Sequence, residues 1–164
     1  MSVRMRRRCL HGLVAGMVMV VCGGVGIAQS NDPAFGVWKL NLAKSKFSPG
    51  PAPKELTLTI QAAGPGREVT VSGVAGDGTP VKWGYSGNFD GKVVRVTGDN
   101  PDADVVILKR ISASTTRTTY QKSFKRTLVN GISVSADGKT LTVAQQGVNA
   151  KKESVKNTLV FDKQ

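Results

Sequence analysis

Few side chains in this sequence are equipped for covalent chemistry. The single histidine is His11, and the two cysteines are Cys9 and Cys22. Beyond them the chain cannot build a Ser-His-Asp triad or a Cys-His pair. It cannot build a Cys/His zinc or copper site either. No glycine-rich phosphate-binding motif is present. What remains is 11 Asp and Glu residues. Asp99, Asp102 and Asp104, with Asn100, are dense enough to suggest a Ca²⁺ loop. They lack the Gly and distal Glu of an EF-hand, and a turn carrying solvated acids is the expected reading. Asp77-Gly78, Asp90-Gly91 and Asp137-Gly138 are hairpin signals between alternating runs. Glu55, Glu68 and Glu153 do not sit clearly within an apolar face. A buried carboxylate pair for acid–base work is not found. The expectation is a protein that is not an enzyme, with no catalytic residues, no metal and no cofactor.

The elements that position these groups begin with an export signal. Arg4, Arg6, Arg7 and Arg8 precede an uncharged run from Leu13 to Ile27, which ends in Gly26-Ile27-Ala28. This is the layout of a signal peptide over residues 1–28, cleaved after Ala28. An uncleaved membrane anchor is the alternative, but Gly23, Gly24 and Gly26 weaken a helix where a peptidase needs extended chain. A lipid-modified Cys22 is disfavoured by the bulky Val20-Val21 before it. Cleavage leaves residues 29–164 as one domain, periplasmic or secreted, with 19 Lys and Arg against 11 acids and no cysteine. Packing and strand pairing alone must hold it together.

Past the signal, short alternating runs recur with turn residues between them. Leu56, Leu58 and Ile60 share a face, as do Val69 with Val71, and Val81 with Trp83 and Tyr85. Val105 to Ile111 is apolar on both faces, which predicts the most enclosed strand. Phe124–Val129 and Ile132–Ser135 read as one long strand bent near Asn130-Gly131. Lys44 to Lys54 is too proline-rich for a central strand. The fold class is all-β: a single antiparallel up-and-down β-barrel of about 8–10 strands; full closure would protect its edges, and an open half-barrel is the alternative.

Phe35-Gly36-Val37-Trp38-Lys39-Leu40 resembles the Gly-x-Trp segment on the first strand of lipocalins and fatty-acid-binding proteins, the calycin barrels. The run from Trp38 to Phe47 is also similar to small exported bacterial proteins described as lipocalin-like. So are Pro101-Asp102-Ala103-Asp104, the run from Ser135 to Val143 and the closing Phe161-Asp162-Lys163-Gln164. The Thr-Asp-Tyr segment of lipocalins and the late Arg-x-Tyr pair of fatty-acid-binding proteins are absent. The resemblance therefore implies a lipocalin-like barrel more strongly than a fatty-acid ligand. It implies a barrel floor at Gly36 and Trp38, often under an arginine from a late strand, and a lid at Lys44–Lys54.

Arg126 is the best such arginine by spacing, sharing parity with Phe124 and Leu128. Three roles stay open for it: covering Trp38, meeting an anionic ligand head group, or facing water. Phe47, Trp83, Tyr85, Tyr120, Phe124 and Phe161 are candidates to line a cavity, or else to fill a solid core. Phe47 either plugs the mouth or belongs to an ordinary proline-stiffened loop. Lys151, Lys152 and Lys156, with Lys122, Lys125 and Arg126, form basic clusters that suit a weak contact with an anionic envelope surface or simply face solvent. Nucleic acid is not an expected partner, since no binding motif is present. Two functional readings follow. One is an extracytoplasmic binding protein for a small hydrophobic or amphipathic ligand held inside the barrel. The other is a protein-interaction module, an inhibitor or envelope accessory protein, built on a filled barrel. Free volume in the interior separates them.

Overall fold

The computed structural model describes residues 32–164. The expected signal peptide, with Ala28, Cys9, His11 and Cys22, lies outside the described residues. Eleven strands follow: β1 (Gly36–Leu40), β2 (Glu55–Ala63), β3 (Gly66–Val74), β4 (Pro80–Gly87), β5 (Asp90–Arg95), β6 (Thr97–Gly98), β7 (Val105–Arg110), β8 (Thr115–Lys122), β9 (Lys125–Val134), β10 (Thr140–Val148) and β11 (Ser154–Lys163). Each pairs antiparallel in a single sheet. A short 3₁₀ turn, Leu42–Lys44, follows β1 and is capped by Asn41, whose side chain accepts from Lys44 N.

The sheet curls because its first and last strands meet. β1 pairs with β2 on one side and with β11 on the other. The remaining seam is closed by one bent strand: β5 pairs with β7, β6 pairs with β4, and only Val96 separates them. Ten lanes therefore run up and down around the barrel, in the predicted meander. Gly98 makes the seam possible. Its φ is +77°, and a Cβ there would lie 2.4 Å from the Lys82 carbonyl oxygen, so any side chain would push β6 off β4.

The register gives the barrel two unlike ends. The Asn41–Lys54 connection, the Ala75–Thr79 turn, the Asp99–Asp104 loop and the β8–β9 and β10–β11 turns gather at the mouth. The floor carries the other turns and the chain entering β1. Inward side chains alternate as period 2 requires: Trp38 and Leu40; Leu58 and Ile60; Val106 and Leu108; Leu128, Ile132 and Val134; Leu141 and Val143 are all buried.

Two expectations shift. Asp90-Gly91 is not the hairpin turn. The chain reverses at Asn88-Phe89, and Asp90-Gly91 opens β5 at a register irregularity. Asp90 still makes a local bond there, accepting from Lys92 N at 3.0 Å as Asp77 and Asp137 accept from Thr79 N and Lys139 N. β7 is not enclosed on both faces. Val106 and Leu108 are buried, whereas Val105 and Ile107 are half-buried and Ile111 is exposed, because a single-layer barrel leaves its outer face to water.

Candidate functional site

A cavity of about 340 Å³ occupies the barrel interior. Its wall is mainly aliphatic and aromatic: Leu56, Leu58 and Ile60 from β2, Val69 and Val71 from β3, Trp83 and Tyr85 from β4, Tyr120 from β8, and Phe161 from β11. Trp83 organises the aromatic side. It stacks on Tyr85 with ring centres 6.4 Å apart and meets Tyr120 edge-on at 6.1 Å, both favoured aromatic geometries.

The proline-rich connection roofs the cavity. Lys46 bridges to Thr158 on β11 through two backbone bonds of 2.7 and 2.8 Å, and Ser48 O accepts from Lys156 N. The chain then crosses the opening, with Phe47, Pro49, Pro51 and Pro53 facing the cavity, and rejoins β2 after Lys54 N bonds Val74 O. Phe47 is half-buried against the core. The lid expected at Lys44–Lys54 is therefore present, pinned on one side to β11.

The Asp99–Asp104 loop forms the other part of the rim, and Asn100, Pro101 and Asp102 reach the cavity. Two of its acids work as struts. Asp102 accepts from Ala150 N at 2.8 Å, Asp104 accepts from Ser123 N at 2.9 Å, and Asn100 accepts from Asp102 N. Among the described residues no three carboxylate, His or Cys groups gather as metal ligands do.

Deep in the interior, toward the floor, the wall turns polar. Arg67 of β3 has no solvent-exposed surface. Its Nη2 donates to Thr118 Oγ1 at 3.4 Å, while Nε and Nη1 have no partner among the described residues. Asn130 of β9 donates from Nδ2 to the Tyr120 hydroxyl at 3.2 Å and leaves its own Oδ1 unpaired. Burial pushes the Tyr120 phenol well above its ordinary value, and neighbouring Tyr85 adds to the rise while Arg67 and Asn130 oppose it. Tyr120 is therefore a neutral hydroxyl at any physiological pH.

The floor itself is built around Trp38. Its Nε1 donates to Ala34 O at 2.8 Å, and Lys163, its partner across β11, holds Nζ 5.0 Å from the ring centre. Gly36 allows this: with φ +137°, a Cβ there would sit 2.9 Å from Lys163 Cε. Beside it Arg110 pairs with Asp32, and Arg110 and Arg67 both contact the Phe89 ring, with Cζ at 4.0 and 5.3 Å from its centre.

Of the candidate residues, Phe47, Trp83, Tyr85 and Tyr120 come together on the cavity, and Gly36 and Trp38 form the floor. Two do not join them. Phe124 is 100 % exposed at the tip of the β8–β9 hairpin. There Ser123 and Phe124 adopt φ of +49° and +62°, a tight turn that turns the ring outward. Arg126 has the right parity but lies beyond the last β9–β10 pair, Leu128 with Gly147, and is exposed at the rim. Lys163, not Arg126, covers Trp38. Arg67 and Asn130 were missed, although both share parity with buried neighbours: Arg67 with Val69, and Asn130 with Leu128 and Ile132.

Compared with family models, curated proteins and solved structures, the chain matches none.

Proposed function

We propose that this protein is an extracytoplasmic binding protein that holds a small hydrophobic or amphipathic molecule inside its barrel. The observation that carries the reading is the roofed interior cavity of about 340 Å³ with its largely apolar wall. Binding sites for small molecules have this size and character, with a few polar groups among apolar ones. A barrel of this width can instead be filled by its own side chains, and free volume is what a module acting through its outer surface does not need. The apolar wall gains by taking up alkyl or aromatic surface, about 25 cal/mol for each Å² removed from water. The lid is a proline-stiffened strap that spans the opening, anchored to β11 at Lys46 and Ser48 and to β3 at Lys54. Export rests on the signal-peptide layout of residues 1–28, and the Gly-x-Trp resemblance supports a calycin-type carrier.

The alternative, a protein-interaction module, is favoured by one feature: Phe124 stands fully exposed on a hairpin beside Lys125 and Arg126. Native mass spectrometry of the protein purified from its own envelope fraction separates the two. A small apolar molecule co-purifying near one-to-one supports the carrier. A clean apo mass, with no uptake of an environment-sensitive apolar dye, overturns it in favour of the module.

A further inference from the structure

Arg67 and Arg110 contact the same phenylalanine ring but differ in one respect. Arg110 has a carboxylate, Asp32, against its guanidinium. Arg67 has none. The ion pairs among the described residues are Lys44–Asp162, Lys92–Asp90 and Arg110–Asp32. Residues 1–31 contain no Asp or Glu, so the missing counter-charge is not supplied from there. Yet Arg67 is the more deeply buried of the two, with two of its three nitrogens unpartnered.

A guanidinium keeps its charge inside a protein and cannot escape burial by losing a proton. A hydrogen bond to water brings no counter-charge. An isolated buried cation is costly, and such charges are found paired. Around it stand groups suited to an oxyanion: the neutral Tyr120 hydroxyl, held by Asn130, with Tyr85 beside it and Thr118 on the far side. Arg67, Tyr85, Tyr120 and Asn130 line the apolar cavity, and Thr118 does not.

Resting on the carrier reading above, we propose that the ligand is a monoanion, an oxyanion head group on an apolar tail. The head seats against Arg67 at the deep end, and the tail runs toward Phe47 and the lid. One uncompensated cation sets the charge at a single negative unit. The apolar wall from Leu56 to Val71 sets the tail.

The test uses purified protein, stripped of bound lipid by unfolding and refolding. Laurate, the matching alcohol and the matching amine compete against an uncharged environment-sensitive dye. Laurate is expected to bind about tenfold or more tighter than the alcohol, as charge-assisted bonds exceed neutral ones, with the amine weakest. Arg67→Met is expected to erase the preference for laurate while the alcohol still binds. If that variant does not fold, the wild type still decides. Carboxyl-labelled laurate in the complex should titrate, by NMR, below its value in water. Equal binding of laurate and alcohol, or a carboxyl group that titrates at or above its free value, overturns the anion inference and leaves the carrier standing. Failure of the dye and all three amphiphiles to bind overturns the carrier reading itself.

Discussion

An uncompensated buried charge should make the free protein less stable than it needs to be, and Arg67→Met tests this without any ligand. The substitution removes a long bond to Thr118 and a contact with Phe89, together costing about 1–2 kcal/mol. It also removes two buried, unpartnered donors on a charged group, which returns about 1–3 kcal/mol for each. Methionine fills much of the same space and adapts to irregular gaps. The two contributions leave an expected net stabilisation of about 0–5 kcal/mol, centred at about 2–3 kcal/mol. For a domain of this size that corresponds to a rise in Tm of roughly 3–5 °C per kcal/mol. Urea unfolding measures it, with the slope unchanged so that the midpoint alone reports stability. Arg110→Met is the internal control. It strands Asp32, whose side chain is only 4 % exposed, and should destabilise by about 1–3 kcal/mol, discounted because Arg110 is partly solvated. Opposite signs for two arginines on one ring are the signature. If Arg67→Met instead destabilises by more than about 1 kcal/mol, Arg67 is already compensated in the free protein and the reasoning fails.

Phe124→Gly should stabilise by about 1 kcal/mol in urea unfolding, because the ring buries nothing and its φ of +62° strains an L-residue. Dye binding to that variant should be unchanged. Trp38→Ala should destabilise by about 3–5 kcal/mol, removing a wholly buried ring and its bond to Ala34; a loss under about 1 kcal/mol would show that the floor does not rest on it. Stability should fall as the pH rises above about 10, since Tyr120 is held neutral in the fold and ionises more readily once unfolded; its share is fully present below that pH and is lost on the alkaline side. Tyr120→Phe should flatten this alkaline loss in pH-dependent unfolding curves.

Much of the barrel was legible because a one-layer sheet obeys a strict alternation. Leu56, Leu58 and Ile60, and likewise Trp83 and Tyr85, show their inward face in the residue order alone. The same parity pointed to Arg126 and failed there. Parity says which face a residue takes, but burial also depends on how far the neighbouring strands extend. β10 stops pairing with β9 at Gly147, opposite Leu128 and two residues short of Arg126. Arg67 has equal parity and lies near the end of its own strand, yet the floor covers it with Phe89 and the Arg110–Asp32 pair. Those groups are remote in sequence, and no local pattern announces them. Phe124 misled for another reason. Nothing about an aromatic after serine signals a left-handed turn, which Gly or Asn normally marks. Asp77 and Asp137 read correctly as turn groups, because Asx bonds are local chemistry; the bonds of Asp102 to Ala150 and of Asp104 to Ser123 are long-range and had no local signal.

The pairing of β1 with β11 has a cost in time. Asn41 bonds Asp162 across 121 residues, a closure that costs roughly 4 kcal/mol from the flexible chain and less once the intervening strands have paired. Until that contact forms, the chain is an open sheet with bare edges on its first and last strands, and contacts this distant in sequence make folding slow. A chain whose first and last strands are unpaired exposes two edges able to pair with its own copies, so slower closure of the β1–β11 lane raises the aggregation hazard.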